Sequence, residues 1–176
     1  MKNLIITAVG SDRLGIVSEL TKIITNHGGN IEESRMTRLG ADFTIIMLVT
    51  IDSKYKESLI MDLQAIEELS ITTKTTKSKN DITGESYQIS LKGADNEGIV
   101  QVISEYLAGR SINIVEMETY ISNAPITGTP LFNLMTITTI SEKINLTKIQ
   151  SDLNLISQKL GVEINVKQSK YTPETV

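Results

Sequence analysis

Two stretches of this chain carry residue types suited to holding a charged small molecule. The first is Ala8-Val9-Gly10-Ser11-Asp12-Arg13-Leu14-Gly15-Ile16-Val17. An apolar run ends at Gly10 and a helical pattern begins after Gly15. The turn between them therefore sets backbone N–H groups at a helix start, where unpaired donors and the helix dipole attract an anionic group. The second stretch is Gly93-Ala94-Asp95-Asn96-Glu97-Gly98-Ile99-Val100, 83 residues later. The amides near Gly15 or Gly98 suit an anion, and Asp12, Asp95 or the Asn30 and Asn113 side chains offer oxygens to a cation. The copies differ where charge matters: Asn96 stands for Arg13 and Glu97 for Leu14. Glu97 weakens carboxylate binding, so the two sites are expected to be unequal.

Plainer roles compete for the same residues. Gly10 and Gly15 serve equally well in a tight turn and close helix packing. Asp12 (or Ser11) is a ready helix N-cap. Asn30 and Asn113 suit a strand start, and His27, the chain's single histidine, reads as a solvated helix end. Other chemistries fail on spacing. Gly10-x₄-Gly15 is followed by Ile16-Val17, not by the Lys-Ser/Thr of a phosphate loop, and the spacing is not that of a dinucleotide fingerprint. Aromatics make up 4% of the chain, too few for a base-stacking sheet. With no cysteine, thiolate metal sites and cysteine nucleophiles are ruled out. The acidic pairs Glu32-Glu33 and Glu116/Glu118 read as strand-surface charges. No catalytic, metal or cofactor constellation emerges.

The elements that must position these turns also occur twice. Leu4, Ile6 and Ala8 share one strand face, matched by Tyr87, Ile89 and Leu91. Ile16, Val17, Leu20, Ile23 and Ile24 form one helical stripe, matched by Ile99, Val100, Ile103, Tyr106 and Leu107. Gly28-Gly29 is expected to end the first helix and Gly109 its counterpart. Strands then start at Asn30-Ile31 and Asn113-Ile114. The alternation from Phe43 to Ile51 marks a central strand. Residues 53–68 read as a helix with Leu59, Leu63 and Ile66 inward, and Leu69, Ile71 and Thr73 as a closing strand. In the second copy, six extra residues lengthen the connection Ser122–Pro130. For the strand after it, Leu131, Met135 and Ile137 compete with Phe132, Leu134 and Ile140 for the inner face. A helix carrying Ile149, Leu153, Ile156 and Leu160 and a strand at Val162–Val166 complete the copy.

The order is β-α-β-β-α-β in each half. The fold class is therefore α+β: two tandem ferredoxin-like domains, each an antiparallel four-stranded sheet with two helices on one face. The expected boundaries are 1–78 and 86–169, with a polar linker at 79–85 and a tail at 170–176. Each half is small, so the halves are expected to lean on one another. A net charge of −4 over 176 residues argues against direct nucleic-acid binding. No run is long enough for a membrane span, and cytoplasmic localisation is expected.

The βαββαβ unit with Gly10-x-Asp12-Arg13-x-Gly15-Ile16-Val17, then Asn30-Ile31 opening the second strand, resembles the ACT domain, a regulatory module that binds amino acids. Tandem copies, and the segment Ala124-Pro125…Gly128-Thr129-Pro130-Leu131-Phe132, are similar to the glycine cleavage system transcriptional repressor family, over about residues 1–168. The resemblance implies ligand contacts from Ser11, Asp12, Arg13, Leu14 and Gly15 with Asn30 and Ile31. In the second copy it implies Ala94, Asp95, Asn96 and Gly98 with Asn113 and Ile114. It also implies an amino-acid ligand such as glycine, a protein partner such as a transcriptional activator, a homodimer, and no enzymatic activity. The competing functional readings are a sensor that regulates a metabolic enzyme by direct contact, and an adaptor whose ligand site is lost.

Overall fold

The computed structural model describes residues 1–77, 84–94, 97–141 and 144–169. The chain divides into two units. The first comprises β1 (Lys2–Ser11), α1 (Ile16–Asn26), β2 (Asn30–Leu39), β3 (Asp42–Ile51), α2 (Lys56–Gln64) and β4 (Leu69–Thr76). The second comprises β5 (Glu85–Ala94), α3 (Ile99–Gly109), β6 (Asn113–Asn123), β7 (Pro130–Ile140), α4 (Leu146–Leu160) and β8 (Val162–Gln168). Their sheets run β2-β3-β1-β4 and β6-β7-β5-β8, antiparallel at every pairing. The expected fold and its duplication are both present.

Each core lies between the sheet and its helix pair. In the first unit Leu4, Ile6 and Ala8 of β1 meet Ile16, Leu20 and Ile24 of α1, and Leu59 and Leu63 of α2. In the second, Tyr87, Ile89 and Leu91 meet Ile99, Ile103, Leu107, Ile149 and Leu153. Side chains that alternate on a strand and recur each helical turn can satisfy both elements together.

Several local expectations are corrected. The second helix of the first unit is shorter than 53–68, because Asp52 Oδ1 accepts the Lys54 N–H and holds a turn ahead of it. Ile66 is buried but lies beyond that helix. Gly109 is the last residue of α3, as expected, but it is not the left-handed one: Ser111 takes the conformation (φ 56°) that Gly28 takes after α1 (φ 70°). The rival patterns on β7 resolve in favour of Phe132, Leu134 and Ile140. Thr136 and Thr138 stand between them and are buried. Thr136 Oγ1 donates to the Glu116 carbonyl at 2.8 Å and Thr138 Oγ1 to the Tyr87 carbonyl at 3.2 Å. Those bonds let hydroxyls sit in a core whose first-unit counterparts are Met47 and Val49. The strand β5 begins at Glu85, inside the stretch expected as linker. Most of that linker and the tail lie outside the described residues.

Candidate functional site

The first turn leaves β1 at Ser11, which pairs with Asp42 of β3. Gly15 is the residue before α1, at φ 88°, and no side chain caps the helix. A Cβ on Gly15 would meet nothing within 4 Å. Glycine is thus required by the positive φ, not by a close neighbour. Gly10 is the opposite case: a Cβ there would lie 2.3 Å from the Glu68 carbonyl oxygen.

Asp12 is not the N-cap that its position implied. Its N–H donates to the Ala41 carbonyl at 3.0 Å, and its carboxylate lies 3.9 Å from Arg38 Nη1. Its contacts are thus with the β2–β3 hairpin. Arg13 is held by two carboxylates, Glu19 in the first turn of α1 and Glu68 ahead of β4. The hydrogen bond to Glu19, opposed by desolvation, leads the effects that raise the guanidinium above its ordinary pKa. Leu14 is fully exposed.

The described ends of the second turn match those of the first. Ala94 ends β5 opposite Leu131, and Gly98 precedes α3 at φ 84° without a side-chain cap. Asp95 and Asn96 lie outside the described residues.

The two parts of each expected site do not meet within a unit. Asn30 pairs with Thr50, which pairs with Asn3 at the far end of β1. Asn3 and Ser11 are separated by eight residues of extended strand, roughly 26 Å at the usual rise. Asn113 is likewise level with Ser86 through Thr139, whereas Ala94 lies at the other end of β5. The cause is topological: β1 and β2 are both antiparallel to β3 and so run parallel, and their starts lie at the same end of the sheet. Ile31 and Ile114 pack against the two cores. Asn30 Nδ2 donates to Glu32 Oε1 at 2.9 Å, and Thr50 Oγ1 donates to the same oxygen at 2.6 Å. The Thr50 bond, then the Asn30 bond, hold the Glu32 carboxyl below its usual range.

His27 is not a solvated end. Its Nδ1 lies 2.9 Å from the Ile23 carbonyl and its Nε2 3.3 Å from Asp62 Oδ2 on α2. The sequence reading missed a cluster between α3 and α4. There Asp152 is ion-paired with Arg110 and lies 3.9 Å from Lys148 Nζ, and it accepts the Tyr106 hydroxyl at 3.3 Å. Burial first, then the charge of Asp152, pushes the Tyr106 phenol up to about 12. The spacings Tyr106/Arg110 and Lys148/Asp152, each one helical turn, were the available signal. A cavity of about 240 Å³ in the second unit was also missed; Glu85, Tyr87, Ile140, Ser141, Ile144 and Leu146 line it. Among the described residues, no group of acidic or histidine side chains could hold a metal ion, and no helix is long and apolar enough to cross a membrane.

Duplicated βαββαβ units, each with a first helix that follows a left-handed glycine, define a tandem ferredoxin-like protein. Residues 2–76, the first unit, match the ACT domain family, and the second unit repeats its strand order. Over 118 residues it is 29% identical to the glycine cleavage system transcriptional repressor of Escherichia coli (strain K12). That alignment covers 65% of this chain and 62% of the relative, so the chain spans less than two thirds of the curated relative it matches. A protein of unknown function from Galdieria sulphuraria has the same fold at a TM-score of 0.80, with 30% identity over 96% of this chain and 98% of that one. A solved candidate glycine cleavage system transcriptional repressor superposes at 0.70 with 24% identity, covering 97% of this chain and 98% of that one. That second likeness is one of fold.

Proposed function

We propose that this chain is an amino-acid-responsive regulator that controls transcription of glycine cleavage genes, or of related amino-acid metabolism, through a protein partner. It works in the cytoplasm, without catalysis and without contacting DNA itself. The observation that carries this is the uncapped start of α1, where Gly15 leaves the first amides open to a carboxylate. The similarity to a repressor supplies the biological direction. The ligand lies at Ser11–Gly15, with the Ala94–Gly98 turn as the weaker copy. Asn30 and Ile31, or Asn113 and Ile114, do not reach such a ligand within their own unit, and a homodimer is part of the reading.

A thermal-shift screen of the full chain against the proteinogenic amino acids, glycine first, tests the ligand. A saturable shift with one amino acid is expected, and no shift with any of them removes the sensing role. A mobility-shift assay with duplex DNA at physiological salt, followed by affinity capture from native lysate, tests the route. A transcription factor should be captured and free DNA left unshifted. Capture of a metabolic enzyme instead would transfer the function to direct enzyme regulation.

A further inference from the structure

Three parts of the first unit meet at one guanidinium. Arg13 belongs to the turn, Glu19 to α1, and Glu68 to the connection before β4. The same connection is gripped from β1, since a Cβ on Gly10 would lie 2.3 Å from the Glu68 carbonyl oxygen and 2.7 Å from Leu69 Cδ2. Gly10 and Arg13 therefore seize one segment, the first by backbone closeness and the second by charge. The second unit keeps only the first grip. A Cβ on Gly93 would lie 2.5 Å from Val162 Cγ1. Gly10 pairs with Leu69 and Gly93 with Val162, which makes Gly161 the counterpart of Glu68. The counterparts of Arg13 and Glu19 are Asn96 and Val102. All three charged members are gone.

A guanidinium is a rigid fork of donors and takes two carboxylates at once only when both are placed around it. Held by two carboxylates, its charge is already balanced within the unit. We infer that Arg13 is a positioning residue, a clasp that ties the Asp12–Gly15 turn to α1 and to the start of β4, and that this clasp makes the first unit the one with a ligand-ready turn. The second half of the inference rests on the amino-acid reading above. Holding the turn in place beforehand lowers the ordering cost of binding a small zwitterion.

The test uses the full chain with Arg13→Gln, Arg13→Lys, Glu68→Gln and the double variant Arg13→Gln/Glu68→Gln. Amide hydrogen exchange is followed at Asp12 and Glu19, whose N–H groups donate to the Ala41 and Gly15 carbonyls, with Val102, which donates to the Gly98 carbonyl, as the internal reference. Arg13→Gln and Glu68→Gln should each speed exchange at Asp12 and Glu19 several-fold and leave Val102 unchanged, because local opening is what the clasp resists. The double variant should be no faster than the singles, as expected for partners in one network. Arg13→Lys should fall between wild type and Arg13→Gln, since an ammonium lacks the fork. Unchanged exchange in both single variants, or an additive double, overturns the clasp. Glycine titration then separates positioning from contact. Positioning weakens binding about equally in Arg13→Gln and Glu68→Gln, with Arg13→Lys between. Loss of binding in Arg13→Gln alongside tighter binding in Glu68→Gln would make Arg13 the direct anion receptor and sink the inference. If wild type binds no amino acid, the functional reading fails, while the exchange data still decide the clasp.

Discussion

Arg110 stands in the second unit where His27 stands in the first, and each reaches an aspartate on the following helix. His27 Nε2 lies 3.3 Å from Asp62, and Arg110 is ion-paired with Asp152. The same two-helix latch is thus built twice, with different side chains facing the aspartate and different surroundings. The Asp62 side chain is 62% exposed, whereas that of Asp152 is 20% exposed and also serves Lys148 and Tyr106.

Removing the two aspartates should therefore have unequal costs. Asp62→Asn breaks an exposed pair and should change stability by less than about 0.5 kcal/mol. Asp152→Asn strips a more enclosed carboxylate from three partners and should cost about 1–2 kcal/mol. Urea unfolding monitored by amide exchange within each unit checks this. Equal losses would mean that the Asp152 cluster is as solvent-screened as the Asp62 pair.

Tyr106 should be among the last tyrosines to ionise. Its folded-state pKa is pushed from 10.0 up to about 12, by burial first and then by Asp152. The folded protein therefore holds that proton more tightly than the unfolded chain. The resulting stabilisation is complete below about pH 10 and is lost as pH rises through 12. A spectrophotometric tyrosinate titration should show one late step that moves down in Asp152→Asn, where the like-charge effect is removed.

Thr138→Val should be neutral or stabilising, by up to about 1 kcal/mol. The hydroxyl is fully buried and bonds only one carbonyl, at 3.2 Å. The first unit has Val49 in the corresponding place. Thermal unfolding of the variant decides it; a loss above about 1 kcal/mol would show that the Tyr87 carbonyl depends on that donor.

The glycines of the first turn should separate by mechanism. Gly10→Ala drives a methyl into the Glu68 carbonyl and Leu69, and should cost well over about 1 kcal/mol. Gly15→Ala meets open space at φ 88°, and should cost about 1 kcal/mol. Gly15→Asn should cost less than Gly15→Ala, because Asn tolerates the left-handed region. Melting temperatures of the three variants give the ranking, and the reverse order at Gly15 would remove the conformational explanation.

Much of this molecule was legible in the chain itself. The 83-residue echo of Gly-x-Asp-x-x-Gly-Ile-Val, the strand faces and the helical stripes are local patterns with periods of two and 3.6, and they dictated two βαββαβ units. Both turns and both strand starts were found for the same reason, since short motifs sit where one period gives way to another. What the sequence alone could not decide is which distant groups meet. The strand register put Asn30 and Ser11 at opposite ends of one sheet. The hairpin carried Arg38 to Asp12 and so removed the expected cap. Buried hydroxyl bonds settled which face of β7 turns inward, where polarity alone was ambiguous. The grip of Arg13 on Glu68 spans 55 residues of chain, and His27 reaches Asp62 across 35. Pairings of that kind carry no periodicity of their own. They exist because sheet register and helix packing bring the backbones together first, and the side chains then pair with whatever charge lies within reach.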